Sequence, residues 1–166
     1  MADAELYPLA QQLGQALLAR GWRLATAESC TGGGIGAAIT AVPGSSAWFD
    51  GGLITYSNRA KQVLLGVDAA TLVAVGAVSE AVVAQMAAGA LQHCDADLAV
   101  AVSGIAGPDG GSADKPVGTV WIAWAQRDAT VMTRRFVFAG DRHAVRQQTV
   151  AKALQGLLDM AGRFVC

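Results

Sequence analysis

The segment that most limits the fold is an almost wholly apolar run at residues 98–103, Leu-Ala-Val-Ala-Val-Ser. A run of this length is typical of a β-strand, and the lack of polar alternation indicates that both of its faces are buried. Strands buried on both faces belong to sheets that helices cover on either side. The run therefore predicts an α/β protein with a sheet as its central layer.

Strand-like and helix-like patterns alternate along the rest of the chain. The predicted strands are residues 23–27, 51–56 and 98–103, followed by a hairpin of residues 117–125 and 131–138. The predicted helices are a first one with Leu6, Leu9, Leu13 and Leu17 on one face, then residues 35–41, 58–65, 79–94 and 141–161. This order predicts a three-layer α/β/α sandwich with a mixed, mostly parallel sheet.

Length and composition limit the domain count and the classes of partner. A chain of 166 residues predicts a single domain, here residues 1–166. Hydrophobic residues make up 53% and charged residues 15% of the chain, so we expect part of its surface to be buried in a homo-oligomer. The net charge of -1 argues against nucleic-acid binding. No stretch is long and apolar enough to predict a membrane span.

The cysteines and the first residues predict a cytoplasmic protein. Cys30, Cys94 and Cys166 are scattered and odd in number, which fits reduced thiols better than a set of disulfides. The first residues lack the charged and apolar regions of a signal peptide. The His, Cys, Asp and Glu residues show no metal-ligand spacing, so we expect no metal.

The turn after the first predicted strand is a favourable place for a nucleophile. Residues 26–34 read Thr-Ala-Glu-Ser-Cys-Thr-Gly-Gly-Gly, which puts Ser29 between a strand and a helix. The glycines allow a substrate to approach the backbone, and the first amides of a helix are free to stabilise an oxyanion or a phosphate. The alternative is an ordinary helix start with Ser29 or Thr31 as the N-cap.

A nucleophilic serine needs a base, and Lys61 is the best candidate. Neither His93 nor His143 has an obvious aspartate to complete a triad. Lys61 follows the end of a predicted strand, and burial or a nearby cation must lower its pKa from about 10.4 before it can accept a proton. Tyr56 ends that strand and can either relay a proton between Ser29 and Lys61 or only orient the pair.

Other assignments of the same residues remain open. Ser57 and Lys61 are four residues apart and can touch on one helix face. Cys30 is a rival nucleophile, because a helix N-terminus lowers the pKa of a thiol. Glu28 can cap the helix, orient a neighbour or contact a ligand. A GxGxxA pattern at residues 32–37 is a weak match to a dinucleotide site, since the next strand does not end in an acidic residue.

Further segments are predicted to meet at the serine turn. If the strands are parallel, the glycine-rich loop of residues 104–115 and the segment of residues 56–61 leave the sheet at the same edge. Arg142 opens the last helix, where it can bind a phosphate together with the helix amides. The alternative for Arg142 is a solvated side chain beside a capping Asp141.

Residues 26–33 resemble the signature of the CinA C-terminal domain family, the nicotinamide-nucleotide amidohydrolases. Five further segments agree with that family in the same order, over nearly the whole chain: residues 51–58 with Lys61, 76–80, 104–111, 115–120 and 140–142. The chain departs from the family pattern at Ser103, where the pattern has threonine, but the hydroxyl is kept. The length matches the stand-alone form of the family.

The resemblance implies hydrolysis of the carboxamide of nicotinamide mononucleotide to nicotinate mononucleotide and ammonia. It implies a serine amidase without metal or cofactor, with Ser29 as nucleophile, Lys61 as general base and Tyr56 assisting proton transfer. The sequence patterns and the resemblance together predict a set of substrate-binding residues: Glu28, Cys30, Thr31, Gly32, Gly33, Ser103, Gly104, Ile105, Gly107, Pro108 and Arg142. The alternatives are a non-catalytic nucleotide-binding or regulatory module and, more weakly, a nicotinamide-dependent oxidoreductase.

Overall fold

A five-stranded sheet forms the middle layer of the protein. The computed structural model describes residues 2–162, and side chains from residue 4 onward, so that Cys166 lies outside the described residues. The strands are β1 (Leu24–Glu28), β2 (Phe49–Ile54), β3 (Leu98–Gly104), β4 (Thr119–Gln126) and β5 (Met132–Val137). The helices are α1 (Ala2–Arg20), α2 (Gly34–Thr40), α3 (Asn58–Leu65), α4 (Ala69–Val75), α5 (Glu80–His93) and α6 (Arg142–Gly162), with a short 3₁₀ turn at Ser45–Ala47.

The direction of the strands fixes which loops meet. In the order β2-β1-β3-β4-β5, the strand β1 pairs in parallel with both β2 and β3. The strand β4 is antiparallel to both β3 and β5. The predicted mixed, mostly parallel sheet is thus confirmed. The carboxyl ends of β1, β2 and β3 lie at one edge, so the loops that follow these strands converge there.

The two faces of the sheet differ in side-chain size. Large aliphatic residues such as Leu24, Val100 and Ile122 point to one side and pack against α1, α2 and α6. The alternate positions of the same strands pack against α3, α4 and α5, and they are alanines: Ala25, Ala27, Ala99, Ala101, Ala123 and Ala125. Short side chains let α5 lie close to the sheet. Helices therefore cover both faces, as predicted for a three-layer sandwich.

Helix α4 is the element that the sequence pattern did not predict. Its seven residues bury only Leu72, and Val73 is 89% exposed. A helix that packs through a single side chain shows no apolar stripe at helical spacing, which is the signal that reveals helices in a sequence. The strand β2 also ends two residues earlier than predicted, at Ile54, and this frees the next two carbonyls for the site described below.

The contact between α3 and α5 yields a first prediction. A Cβ placed on Gly89 of α5 would overlap the backbone carbonyl of Leu65, the last residue of α3. A backbone atom cannot swing aside as a side chain does, so Gly89→Ala is expected to lower the free energy of unfolding by about 1–3 kcal/mol. Urea titration measures this. Gly51→Ala is the control, since nothing lies within 4 Å of a Cβ at that position. Equal stability of the two variants would contradict close backbone packing at Gly89.

Candidate active site

Ser29 directly follows β1, at the edge where the parallel strands end. Its amide donates to the carbonyl of Val102 in β3 (3.1 Å), and its carbonyl accepts from the amide of Gly32 (3.0 Å). Gly32 and Gly33 have φ values of +59° and +100°, in the left-handed region that favours glycine. The side chain of Ser29 is 7% exposed. The turn thus holds a serine hydroxyl rigidly at the margin of the protein interior.

Glu28 fixes the other end of this turn. One carboxylate oxygen accepts from the Thr31 hydroxyl (2.6 Å) and the Ile35 amide (2.9 Å), and the other accepts from the Gly36 amide (2.9 Å). Glu28 therefore satisfies first-turn amides of α2 with a negative group, the sign that a helix N-terminus favours. At 2% exposure Glu28 is buried, and it does not line the cleft described below, so its contact with substrate stays a prediction.

The capping alternative for Ser29 and Thr31 is wrong. The N-cap of α2 is Gly33, which has no side chain that could bind the first amides of the helix. The reason is that Glu28 has taken the amides that a serine or threonine cap would bind. Ser29 consequently keeps its hydroxyl free for another partner.

That partner is Lys61 of α3. The Lys61 side chain is only 1% exposed, and its Nζ lies 2.9 Å from Ser29 Oγ. The same Nζ lies 2.8 Å from the Thr55 carbonyl and 3.2 Å from the Tyr56 carbonyl, just beyond the end of β2. Burial lowers the pKa of Lys61 from its ordinary value, because an ammonium loses its hydration there.

The arrangement suits a neutral lysine that accepts a proton. A neutral amine has two N–H donors and one lone pair, and the two backbone carbonyls can take both donors. The lone pair is then left for the Ser29 hydroxyl, which can donate to it. The geometry is that of a nucleophile in direct hydrogen-bond contact with its base.

The rival pairing of Ser57 with Lys61 is excluded. Ser57 is the N-cap of α3, and its Oγ accepts from the Ala60 amide at 3.0 Å. Lys61 turns its amine away to Ser29, although Ser57 is only one helical turn from it in sequence. The contact between Lys61 and Ser29 therefore forms in preference to a contact between Lys61 and Ser57.

Cys30 does not have the properties of a nucleophile. Its side chain is buried, and the pKa of the thiol is raised from 9.0 to about 11, mainly by burial and also by the nearby Glu28 carboxylate. The thiol is thus protonated at neutral pH, contrary to the lowered pKa expected for a helix N-terminus. The reason is that Cys30 sits in the interior and not at the open end of α2.

Tyr56 and Arg142 lie together beside the Ser29–Lys61 pair. The Tyr56 ring is 62% exposed, and its hydroxyl accepts from an Arg142 terminal nitrogen at 3.2 Å. The other terminal nitrogen of Arg142 donates to the Gly107 carbonyl (2.9 Å). Since Ser29 and Lys61 touch directly, no relay through the phenol is needed. The glycine-rich loop thus holds the Arg142 guanidinium beside the Ser29–Lys61 pair. Arg142 is a cation there and has further N–H donors for a ligand.

These groups line a cleft of about 180 Å³. Seven predicted site residues are brought together in it: Ser29, Cys30, Tyr56, Lys61, Ser103, Gly104 and Arg142. Asn58, Ala77, Val78 and Ala106 also line it and were not predicted as site residues. The signal for all four was present, because they fall within the segments that carry the family resemblance.

Other predicted substrate-binding residues do not line the cleft. They are Thr31, Gly32, Gly33, Ile105, Gly107 and Pro108. Thr31 is turned toward Glu28, and the backbone of Ile105 is paired with Gly118 and Thr119. Gly107 contributes only indirectly, through the carbonyl that holds Arg142.

The amides expected to hold an oxyanion also need correction. Those of Ile35 and Gly36 donate to Glu28, and those of Gly32 and Gly34 donate within the turn. Within residues 2–162, the amides of Thr31 and Gly33 have no acceptor in another residue, and the same is true of the Cys30 amide. It belongs to the residue after the nucleophile, the usual position of an oxyanion donor at a strand-to-helix turn.

Arg146 is a component of the site that the sequence analysis missed. Its Nε donates to the Cys30 carbonyl and one terminal nitrogen donates to the Thr31 carbonyl, both at 3.1 Å. Arg146, which lies one helical turn after Arg142, therefore links α6 to the loop that carries Ser29. The only signal in the sequence was this four-residue spacing, which α-helical geometry places on one side of a helix.

Two features that would indicate other functions are absent from residues 2–162. No helix there is long and apolar enough to cross a membrane. No three His, Cys, Asp or Glu side chains in that part of the chain are grouped so that they could hold a metal ion.

Known proteins resemble this chain in both sequence and structure. A crystal structure of a competence damage-inducible protein from Klebsiella pneumoniae superposes with a TM-score of 0.92 and 45% identity, covering 96% of this chain and 99% of that one. A protein of Agrobacterium tumefaciens, described as competence/damage inducible, gives a TM-score of 0.91 and 44% identity, with 93% and 94% covered.

Sequence relatives match along nearly their whole length. A protein of Escherichia coli K12 named nicotinamide-nucleotide amidohydrolase PncC is 58% identical over 157 residues, which cover 95% of either chain. A protein of the same name from Pseudomonas putida is 56% identical, with 92% of this chain and 94% of that one covered. The family described as "CinA C-terminal domain" matches residues 6–161. The chain belongs to the CinA C-terminal domain family.

Proposed function

We propose that the protein hydrolyses the carboxamide of nicotinamide mononucleotide, releasing nicotinate mononucleotide and ammonia. The observation that carries the proposal is the 2.9 Å contact between the amine of buried Lys61 and the hydroxyl of Ser29. Relatives that match over nearly the full chain bear the name nicotinamide-nucleotide amidohydrolase, which supplies the substrate class.

The first half of the reaction forms an ester between enzyme and substrate. Lys61 takes the proton of the Ser29 hydroxyl as Oγ attacks the carboxamide carbon, whose oxygen becomes an oxyanion. The Cys30 amide is the donor closest in sequence to the nucleophile that can bind this oxygen. When the tetrahedral intermediate collapses, the C–N bond breaks and Lys61 returns its proton to the leaving nitrogen, which departs as ammonia.

The second half regenerates the enzyme. Lys61, neutral again, takes a proton from a water molecule that attacks the ester carbon. The C–O bond to Ser29 breaks, Ser29 Oγ regains a proton from Lys61, and the pyridine carboxylate is released. Nucleophile and base are thus both supplied by side chains of this chain.

The size of the cleft indicates how the nucleotide is oriented. Its volume of about 180 Å³ is below the roughly 300–1,000 Å³ typical of sites that enclose a whole small molecule. The pyridine carboxamide therefore enters the cleft, and the ribose phosphate lies across its rim. Arg142 is the cation at that rim, and Tyr56 offers an exposed ring beside it.

Two expectations from the sequence stay predictions: the cytoplasmic location, based on the cysteines and the first residues, and the homo-oligomer, based on composition. The substrate-binding roles of Cys30, Ser103, Gly104 and Arg142 are proposals based on their position in the cleft.

The nucleophile and base can be tested by substitution. Ser29→Ala is expected to abolish ammonia release from nicotinamide mononucleotide, and Lys61→Met to lower kcat by about 10²–10⁴, the usual contribution of a general base. The assay is run with EDTA present, because the proposed nucleophile and base need no metal. Ser57→Ala is the matched control, since it removes a helix cap but leaves the Ser29–Lys61 contact in place. Wild-type rates in Ser29→Ala would refute the mechanism.

The lowered pKa of Lys61 predicts a pH dependence. Lys61 must be neutral to accept a proton, so kcat/KM is expected to rise with pH through the lowered pKa and to level off below about 10.4, the ordinary lysine value. The unfolded chain binds more protons than the folded one between these two values, so stability is also expected to rise with pH in that window. Lys61→Met should remove this rise in unfolding free energy. A pH–stability curve unchanged in Lys61→Met would contradict a neutral buried lysine.

Arg142 is predicted to select the phosphorylated substrate. Arg142→Ala is expected to raise KM for nicotinamide mononucleotide about tenfold or more, because a charge-assisted hydrogen bond to phosphate is lost. The KM for nicotinamide riboside, which lacks the phosphate, should change little. Arg134→Ala, an exposed arginine on β5, is the control. An equal loss for both substrates would place the phosphate elsewhere.

A further inference from the structure

A second and larger cavity lies between α1, α2 and α6. Its volume is about 530 Å³, and it shares no lining residue with the Ser29 cleft. Side chains from α1, α2 and α6 form most of its walls: Leu6, Tyr7, Ala37, Ala38, Ala41, His143, Arg146, Gln147 and Val150. The volume falls within the roughly 300–1,000 Å³ typical of small-molecule sites.

The polar groups of this cavity favour an anion. Arg146 and His143 line it, and none of its lining residues is acidic. The Arg146 guanidinium uses Nε and one terminal nitrogen on the carbonyls of Cys30 and Thr31. The guanidinium has five N–H donors, so further donors remain for a ligand.

The other walls favour a flat ring that carries an N–H group. Ala37 and Ala38 of α2 and Ala41 just after it present small apolar surfaces, and the ring of Tyr7 is partly exposed beside them. Within residues 2–162, the Oε1 atom of Gln147 is buried and has no hydrogen-bond partner. A buried acceptor without a partner is unusual in folded proteins. Gln147 lines the cavity, so a rotation of its side chain would bring this acceptor to an N–H of a ligand there.

We propose that the α1–α2–α6 cavity is a second binding site, for a nucleoside monophosphate. The phosphate would bind Arg146 and His143, the base would lie against Tyr7 and the alanines, and an N–H of the base would donate to Gln147. This site is separate from the Ser29 cleft and does not depend on the function proposed for that cleft.

A ligand bound in this cavity would affect Ser29 through its contact with Arg146. The same guanidinium that faces the cavity holds the carbonyls of Cys30 and Thr31, the two residues after Ser29. A phosphate that binds the Arg146 guanidinium would change how firmly Arg146 holds the turn that carries Ser29. The ligand is therefore expected to change the kcat of the deamidation without occupying the cleft.

Calorimetric titration of the full chain with adenosine monophosphate tests the proposal. Wild type is expected to bind one molecule per chain. Ala37→Leu extends a side chain into the cavity and should weaken binding at least about tenfold, a loss of about 1.4 kcal/mol. Ala19→Leu, the same change at an exposed position of α1 outside both sites, should bind as wild type does. Arg142→Ala, which alters only the rim of the cleft, should also bind normally.

Several outcomes would overturn the proposal. One is no binding at millimolar nucleotide, and another is binding that is lost in Arg142→Ala but kept in Ala37→Leu, which would assign the ligand to the cleft. Inorganic phosphate or adenosine that binds as tightly as the nucleotide would refute the two-part recognition. If the nucleotide binds but alters kcat equally in wild type and Ala37→Leu, the route through Arg146 is wrong. The calorimetric result stands whether or not the chain deamidates nicotinamide mononucleotide.

Discussion

The contact between Lys61 and Ser29 depends on keeping a lysine amine out of water. A buried ammonium is unfavourable, so the surroundings of Lys61 favour the neutral form, and the carbonyls of Thr55 and Tyr56 bind its N–H groups. Those carbonyls are available because β2 ends before them. Lys61 itself is positioned by α3, which packs against α5 at Gly89. The chemistry proposed for Ser29 therefore depends on the packing of the helices on the alanine-lined face of the sheet.

The turn that carries Ser29 is held from two directions by opposite charges. On one side, the carboxylate of Glu28 binds amides at the start of α2. On the other, the guanidinium of Arg146 binds the carbonyls of Cys30 and Thr31. Amides and carbonyls are the two kinds of backbone group that a turn leaves unpaired, and each is bound here by a side chain of the matching sign. The arrangement keeps the serine fixed while leaving its hydroxyl unused by the fold.

Helix α6 contributes side chains to both the Ser29 cleft and the α1–α2–α6 cavity. Arg142 reaches the rim of the Ser29 cleft, and Arg146, one turn later, reaches the back of the nucleophile turn. His143 and Gln147 of the same helix line the larger cavity. One helix thus carries the groups that would bind the substrate phosphate and those that would bind a second anion, so a small movement of α6 would be felt at both places.

The sequence by itself determined the sheet, its helical cover and the two central residues of the site. Apolar runs such as residues 98–103 predict strands because a strand buried on both faces has no polar positions. Ser29 was predicted as a nucleophile because it lies at a strand-to-helix turn with glycines, although the same pattern also allowed an ordinary capped helix start. Only the tertiary structure decided the partners. Lys61 contacts Ser29 and not its helical neighbour Ser57, Glu28 caps α2, and Cys30 is buried with a raised pKa. Each of these facts follows from burial or from contacts between segments that are separated in the sequence. Local pattern carries no information about such contacts, because hydrogen bonding and desolvation are set by what lies nearby in space.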